Sequence, residues 1–263
     1  MNKLSKFINN PWIAYVFAAG YGLTNWVPDE PHLKAMFRGT VGEKLDLKNP
    51  KTFNEKLQWL KLHDKNPLYN TLVDKYRVKP WVAERIGVEH VTKTYAMWEE
   101  VEDIDITDLP DRFVLKTNHD CGGVAICSDR STFDLDAAKK KLAKHLKTNY
   151  FWRTREWPYK DVKPCVFAEE YLDPSEGKSD LTDYKIMCFD GKACCEFTCT
   201  DRSEGDLRVD FFDPEWNHLP FTRHYPNADI PPKAPASLKQ MVSDAELLSK
   251  EIPFVRADFY EVA

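Results

Sequence analysis

The sequence predicts an α+β protein of more than one lobe. Three observations carry that reading: helix-spaced apolar residues behind a capping box before Ile86, short β-branched and aromatic runs broken by paired glycines in the middle, and a hairpin pattern around Asp190-Gly191. A chain of 263 residues, 43% hydrophobic and 13% aromatic, can bury a real core and divide it between two or three lobes. The pattern separates a mostly helical region over residues 1–88, a small central α+β lobe over 89–172, and a C-terminal lobe over 173–263.

Local chemistry justifies each element in turn. After a turn-rich segment from Gly39 to Pro50, Thr52-Phe53-Asn54-Glu55 reads as a capping box and opens a helix with Phe53, Leu57 and Leu60 on one stripe. A second helix spans Asp74 to Ile86, with Val78, Val82 and Ile86 on one face and Gly87 as its stop. Pro80 removes a backbone donor, so the regular part should begin near Lys79 and leave a looser turn before it. Strand signals follow at Phe113 to Thr117 and Val124 to Cys127. Next comes a helix capped by Asp134 with Leu135, Ala138, Leu142 and Leu146 inward, then a strand from Cys165 to Leu172. Lys139, Lys140, Lys141, Lys144 and Lys147 form the solvated face of that helix. A polar linker from Asp173 to Asp180 leads to a hairpin with arms Tyr184 to Phe189 and Lys192 to Thr200, joined by the Asp-Gly pair that a type I′ turn favours. The chain closes with a strand at Arg208 to Phe212, a proline-rich loop from Pro226 to Pro235, a helix capped by Ser237 and a strand from Phe254 to Val262.

Composition excludes some functions. A net charge of -5 gives no basic footprint, so nucleic acid is not an expected partner. Seven cysteines, an odd count with no CxxC pair, point to free thiols in a reducing, cytoplasmic setting. Lys3 and Lys6 precede an apolar stretch from Pro11 to Val27 that superficially resembles a signal peptide. Tyr15, Gly20, Tyr21, Gly22, Thr24 and Asn25 interrupt it, and an acidic, proline-flanked segment from Val27 to Pro31 follows. It is too short to span a bilayer; an amphipathic docking helix or a membrane-surface contact is the better reading.

The most informative segment is FVLKTNHDCGG, Phe113 to Gly123. A strand fixes the ammonium of Lys116, and a glycine-paired loop follows whose backbone N–H groups can turn onto phosphate oxygens, because Gly122 and Gly123 tolerate strained dihedrals. The loop has neither P-loop nor Rossmann spacing. Three other pieces stand with it: Asp74-Lys75 at a helix start, Glu169-Glu170-Tyr171-Leu172 at a strand end, and Arg256-Ala257-Asp258 in the last strand.

Together with TFNEKLQWLKLHDKNPLY (Thr52 to Tyr69), FAEEYLD, DYKIMCFDGK and FVRADFY, these pieces resemble the TupA-like ATP-grasp family of teichuronopeptide and capsular polysaccharide biosynthesis. The resemblance implies an ATP-grasp fold in which two α+β lobes clamp a nucleotide, and a ligase using ATP and Mg²⁺. It implies that Lys75 and Lys116 contact the phosphates while His119, Gly122 and Gly123 close over them. Glu169, Glu170, Tyr171 and Leu172 would then hold adenine and ribose at the hinge. By the same resemblance Asp258 holds the metal, and Arg256 stabilises the acylphosphate and its tetrahedral successor. Lys185, on the facing hairpin arm, is a further candidate for phosphate or substrate. The substrates implied are a small or saccharide carboxylate and an amine.

The chain departs from the family pattern at its end, where a further strand with a glutamate and a Pro-Gly turn is expected after the RxD strand. With Asp258 alone, metal binding and turnover should be weakened, and Glu261 faces the opposite side of the strand. Cys121 and Cys165 replace residues that are commonly Ser and basic, which trims phosphate contacts. Two other readings stand beside the ligase. A glycosyltransferase is suggested by the DxD-like Asp103-Ile104-Asp105 and Asp134-Leu135-Asp136, and a catalytically impaired nucleotide-binding remnant by the missing carboxylate. A Cys121 nucleophile with His119 is disfavoured, because residues two apart in an extended loop point oppositely.

Overall fold

The computed structural model describes residues 10–173, 181–200, 205 and 207–262. Residues 174–180 of the expected linker therefore lie outside the described residues. The chain divides into two compact units, Met1–Val78 with Lys93–Glu169, and Lys79–Thr92 with Glu170–Ala263.

The first unit opens with helices α1 (Trp12–Gly20), α2 (Asp29–Val41), α3 (Phe53–His63) and α4 (Leu68–Leu72). Helix α1 lies close on α2 because Gly39 has no side chain; a Cβ there would meet the Trp12 carbonyl oxygen at 2.7 Å. Helix α2 begins inside the acidic, proline-flanked segment. Pro28 occupies its N-cap position and Asp29 and Glu30 its first turn, where Pro31 forfeits no intrahelical bond. The capping box of α3 is present in full: Thr52 Oγ1 accepts from Glu55 N at 3.3 Å, and Glu55 Oε2 accepts from Thr52 N at 2.9 Å. The Thr52 N–H, with the Lys51 N–H and the Thr52 hydroxyl, holds the Glu55 carboxyl down at about 2.

A four-stranded sheet follows in the order β1 (Thr94–Trp98), β4 (Val166–Glu170), β2 (Phe113–Thr117), β3 (Val124–Cys127), with α6 (Leu135–Leu146) packed on it. The short α7 (Phe151–Thr154) completes the helices of this unit, while α5 (Val78–Ile86) falls, from Lys79 on, in the second. Helix α5 starts at Val78, so Pro80 falls in its first turn, and Gly87 ends it at φ 103°. Phe113, Leu115, Leu142, Val166 and Ala168 form the buried centre. Leu142 has no exposed area, and its burial contributes roughly 1.5–3 kcal/mol. Asp134 caps α6 by accepting from Ala137 N at 2.9 Å.

The second unit is built on an antiparallel sheet in the order β7 (Arg208–Phe212), β6 (Lys192–Thr200), β5 (Asp183–Phe189), β8 (Phe254–Phe259). Asp190 and Gly191 both have positive φ, 49° and 75°, as a type I′ turn requires. Helix α8 (Leu238–Leu248) covers one face through Met241 and Ala245 against Tyr184, Ile186 and Cys188. Phe197, Val209 and Phe211 line the other face. One expectation is corrected here. Ser237 stands at the N-cap of α8 but makes no side-chain cap; its N–H and hydroxyl both donate to Glu261 Oε1, at 2.8 and 2.7 Å. The Glu261 carboxylate is therefore spent on fastening the end of the chain to the start of α8.

Candidate functional site

The residues singled out by sequence form two charged clusters, one in each unit. In the first, Thr117 closes the glycine loop: its N–H donates to Gly123 O at 2.8 Å. Asn118, fully buried, ties the strand end to its neighbours by donating to Asp74 Oδ2 at 2.8 Å and Lys163 O at 3.0 Å while accepting from Cys165 N at 2.9 Å. Asp120 is the hub of the loop. One carboxylate oxygen accepts from the Thr117 hydroxyl, the other pairs with His145 Nδ1, and its carbonyl accepts from the Lys75 ammonium. Both carboxylate oxygens are thus engaged inside the unit.

The backbone of the loop itself is rich in donors. Among the described residues no acceptor pairs with the N–H groups of His119, Asp120, Cys121, Gly122 and Gly123. Five consecutive free N–H groups around a left-handed Gly122, at φ 94°, have the composition of an anion-binding concavity. Gly123 is sterically obligatory: a Cβ there would overlap the Thr117 hydroxyl and come within 2.8 Å of Asp120 Oδ1. Gly123→Ala is expected to cost about 2 kcal/mol of stability, read by chemical denaturation, and to open the loop.

Lys75 and Lys116 flank this loop. Asp74 starts the turn before α5 by accepting from Tyr76 N at 3.0 Å and Arg77 N at 2.9 Å, which aims Lys75 at the loop. The Lys75 N–H donates to Asn118 O at 2.9 Å. Burial pushes the Lys75 ammonium pKa down, and the nearby charge of Lys116 adds to that, while Cys121, Asp120 and Glu169 oppose it. The two cations therefore share one locale. Lys116 rests on Glu169, which is 5% exposed, whereas Glu170 points outward. Tyr171 and Leu172 follow in irregular chain, half-buried. His119 turns inward: Nε2 lies 2.9 Å from Thr148 O and Nδ1 3.2 Å from Asn118 Oδ1, so its ring braces the loop. Cys121 is exposed.

The second cluster sits on the face of the β5–β8 ladder that carries Phe197. Arg256 grips Asp258 with two hydrogen bonds, Nε to Oδ1 at 2.6 Å and Nη2 to Oδ2 at 2.8 Å. That fork raises the Arg256 pKa above its usual value. Lys185, directly opposite Asp258 in register, lies 3.4 Å from its Oδ2 and 3.1 Å from Asp183 Oδ1. Arg256 also stands over the Phe197 ring at 5.9 Å. The arrangement offers two cations to an anionic or carboxylate group. It does not fit a magnesium ion held by the protein itself, because both Asp258 oxygens lie in the Arg256 fork. Among the described residues no three His, Cys, Asp or Glu side chains converge on a metal position.

A family model described as TupA-like ATP-grasp matches residues 55–263. The chain belongs to that family. The α+β architecture of two antiparallel-paired sheets with helices is accordingly an ATP-grasp fold. Among solved structures it is similar to a D-alanine–D-alanine ligase from Bacillus anthracis, at 17% identity and a TM-score of 0.37 over 73% of this chain and 56% of that one. The ATP complex of a D-alanine–D-alanine ligase from the same organism matches at 17% identity and a TM-score of 0.36, over 73% of this chain and 54% of that one. The chain thus spans just over half the length of those ligases. No curated protein matches it.

Within this ATP-grasp chain, Asn118, Asp120, His145 and Asp183 are the participants that sequence reasoning missed. Asn118 and Asp120 stand inside the quoted loop, and polar residues between a strand lysine and a glycine pair are a usable signal. His145 carries none, since it reads as one more polar residue on the outer face of α6.

Proposed function

We propose that the chain is an ATP-dependent carboxylate–amine ligase that works through an acylphosphate and acts in surface polysaccharide decoration, joining an amine to a uronic acid carboxylate. The observation that carries this reading is the convergence of Lys75 and Lys116 on a loop with five unpaired N–H donors. Such a group suits a triphosphate, whose charge it offsets as the γ-phosphoryl leaves. Lys116 would exchange Glu169 for phosphate, and Lys75 would exchange the Asp120 carbonyl.

The chemistry follows from what a carboxylate lacks. One carboxylate oxygen attacks the γ-phosphorus, the bond to the β-phosphate oxygen breaks, and ADP departs. The amine then attacks the acyl carbon, loses a proton, and phosphate leaves as the C–O bond breaks. In this reading Arg256 and Lys185 orient the carboxylate and meet the oxyanion of the tetrahedral species. Glu169, Glu170, Tyr171 and Leu172 hold the adenine and ribose. The DxD alternative is weakened by what those aspartates do: Asp134 caps α6, and Asp105 accepts from Thr107 N at 2.9 Å and Thr107 Oγ1 at 2.6 Å.

The test is ADP release from Mg-ATP in the presence of uronic acids and an amino acid mixture, with hydroxylamine added to trap the acylphosphate as a hydroxamate. Lys75→Met and Lys116→Met are each expected to lower kcat/KM by about 10²-fold, and Lys116→Met also to lower the thermal midpoint, because it takes the cation away from the buried Glu169 carboxylate. Turnover of a sugar nucleotide without ATP would reverse the assignment. The capture of both Asp258 oxygens by Arg256 favours one second reading, a nucleotide-binding protein without turnover. Nucleotide binding that survives Asp258→Ala, with no ADP formed before or after the change, supports that reading.

A further inference from the structure

The Arg256–Asp258 cluster has a third cation, and a loop supplies it. Lys185 pairs in register with both Phe197 and Asp258, and Phe197 with Phe211, so these four side chains form one row on one face of the sheet. After β7 the chain turns back over that face. Leu219 N donates to Phe211 O at 2.8 Å and Val209 N to Pro226 O at 3.0 Å, which ties both ends of the 220–225 segment to the sheet edge. Between those ties Phe221 lays its ring against Phe211, centroids 4.7 Å apart, and the Arg223 guanidinium stands over Phe197 at 5.6 Å from the ring centre. Arg256 stands over the same ring at 5.9 Å. One phenyl ring thus gathers two guanidiniums.

A tight turn fixes the root of Arg223. Tyr225 N donates to Arg223 O at 2.6 Å, and His224 between them sits at φ 62°, a left-handed conformation that costs energy in a residue with a side chain. Asn227 Nδ2 donates to Val209 O at 3.0 Å and holds the exit of the turn.

The three cations differ in what engages them. Arg256 has Nε and Nη2 on Asp258, and Lys185 is shared between Asp183 at 3.1 Å and Asp258 at 3.4 Å. The exposed Arg223 guanidinium meets no acceptor oxygen among the described residues. Phe197 holds it by cation–π attraction, which leaves its donors without an oxygen partner. Three cations facing two carboxylates leave one positive charge in excess, and it is the one whose planar fork is open. A carboxylate is the group that such a fork matches in shape and charge. We propose that Arg223 is a substrate-binding residue that receives the carboxylate of the acceptor and brings it to Lys185 and Arg256. The proposal rests on the ligase reading above and adds to it a specificity element outside the RxD strand: acidic acceptors are taken and their uncharged counterparts are not.

The experiment titrates the full chain, wild type and the variants Arg223→Gln and Arg223→Lys, with D-glucuronate by calorimetry, with D-glucose as the uncharged control. Wild type is expected to bind glucuronate and not glucose. Arg223→Gln should weaken glucuronate binding about tenfold or more and Arg223→Lys should recover only part of it, with circular dichroism and thermal midpoint unchanged because the side chain is exposed. In ADP release from Mg-ATP with an amino acid mixture, Arg223→Gln should raise the KM for glucuronate about tenfold or more and move kcat and the KM for ATP by less than about threefold, a split that a structural role would not produce. Should Arg223→Gln lower the thermal midpoint, Arg223→Lys, which keeps the charge over Phe197, is read the same way for a smaller loss. Glucuronate binding that depends on Arg223 in a wild-type chain that forms no ADP would sink the ligase reading and leave this one standing. The proposal is overturned if wild type binds glucuronate no better than glucose, or if Arg223→Gln retains the wild-type affinity and KM, whether or not ADP is formed.

Discussion

Arg155→Ala is expected to lower the stability of the first unit by about 3–5 kcal/mol, the largest loss for any single substitution at the charged residues described above. The residue is 1% exposed and sits at φ 54° just after α7. Its guanidinium donates to Trp152 O at 3.0 Å as well as to the three carbonyls of the Thr24–Val27 turn. It also lies over the rings of Phe151 and Trp152, at 5.1 and 5.2 Å. Burial works against its charge, and Asp29 supplies the compensating one. Truncation would strand the buried carbonyl of Thr24 and the part-buried ones of Asn25, Val27 and Trp152, and the cost of such groups exceeds that of the lost hydrogen bonds alone; the Asp29 carboxylate, 45% exposed, stays solvated. Arg155→Lys is expected to recover less than half of the loss, because one ammonium cannot span carbonyls gathered by a planar fork. Urea denaturation of the three proteins checks this. If Arg155→Met proves nearly as stable as wild type, the residue acts by packing and the hydrogen-bond account is wrong.

Where the sequence speaks through short-range chemistry, the fold is legible in it. Thr52 with Glu55, Asp134 with α6, and Asp190-Gly191 are each a local device whose partners lie within a few residues, and each appears in the structure as read. Strands β2, β3 and β7 fall on the expected residues for the same reason, since β-branched and aromatic runs bounded by turns have few alternatives. Helix α2 was hidden because prolines at 28 and 31 read as breakers unless the helix start is already known. Ser237 fails as a cap for a tertiary reason: Glu261 competes for its hydroxyl.

The candidate site divides along the same line. Lys75 and Lys116 are visible because their chain context is distinctive. The Asp120–His145 and Asn118–Asp74 contacts join residues 25 and 44 apart, and no local pattern encodes them. The unpaired N–H groups of the glycine loop are likewise a property of its folded path.

Glu196 shows the limit most sharply and yields the second large prediction. In sequence it is the polar member of a strand, which suggests a solvent-facing residue. In the structure it opposes Ile186 on β5 and Phe212 on β7, is 2% exposed, and among the described residues neither carboxyl oxygen has a partner. Thr198, next on the same face, has a buried hydroxyl that finds no partner among the described residues. Burial, aided by the charge of Asp213, pushes the Glu196 carboxyl up to about 7, from 4.5 for an unperturbed group.

The sign follows from which state holds the proton. Between about pH 4.5 and 7 the unfolded chain has released it while the folded chain retains it, so the unfolded state binds fewer protons and stability falls as pH rises. The full stabilisation is present below the unfolded value, and about 3 kcal/mol of it is gone once pH passes the folded value. Glu196→Gln carries no ionisable group there. It should match wild type within about 1 kcal/mol at acid pH and exceed it by about 2–3 kcal/mol at pH 8, other titrations cancelling in the difference. Glu196→Leu should gain further at both pH values, since it also removes the unsatisfied oxygens. Urea midpoints of wild type and Glu196→Gln across this range measure the effect directly. A gap between the two proteins that does not change with pH would mean that Glu196 is ionised in the folded state throughout, with a partner or solvent contact strong enough to hold its charge.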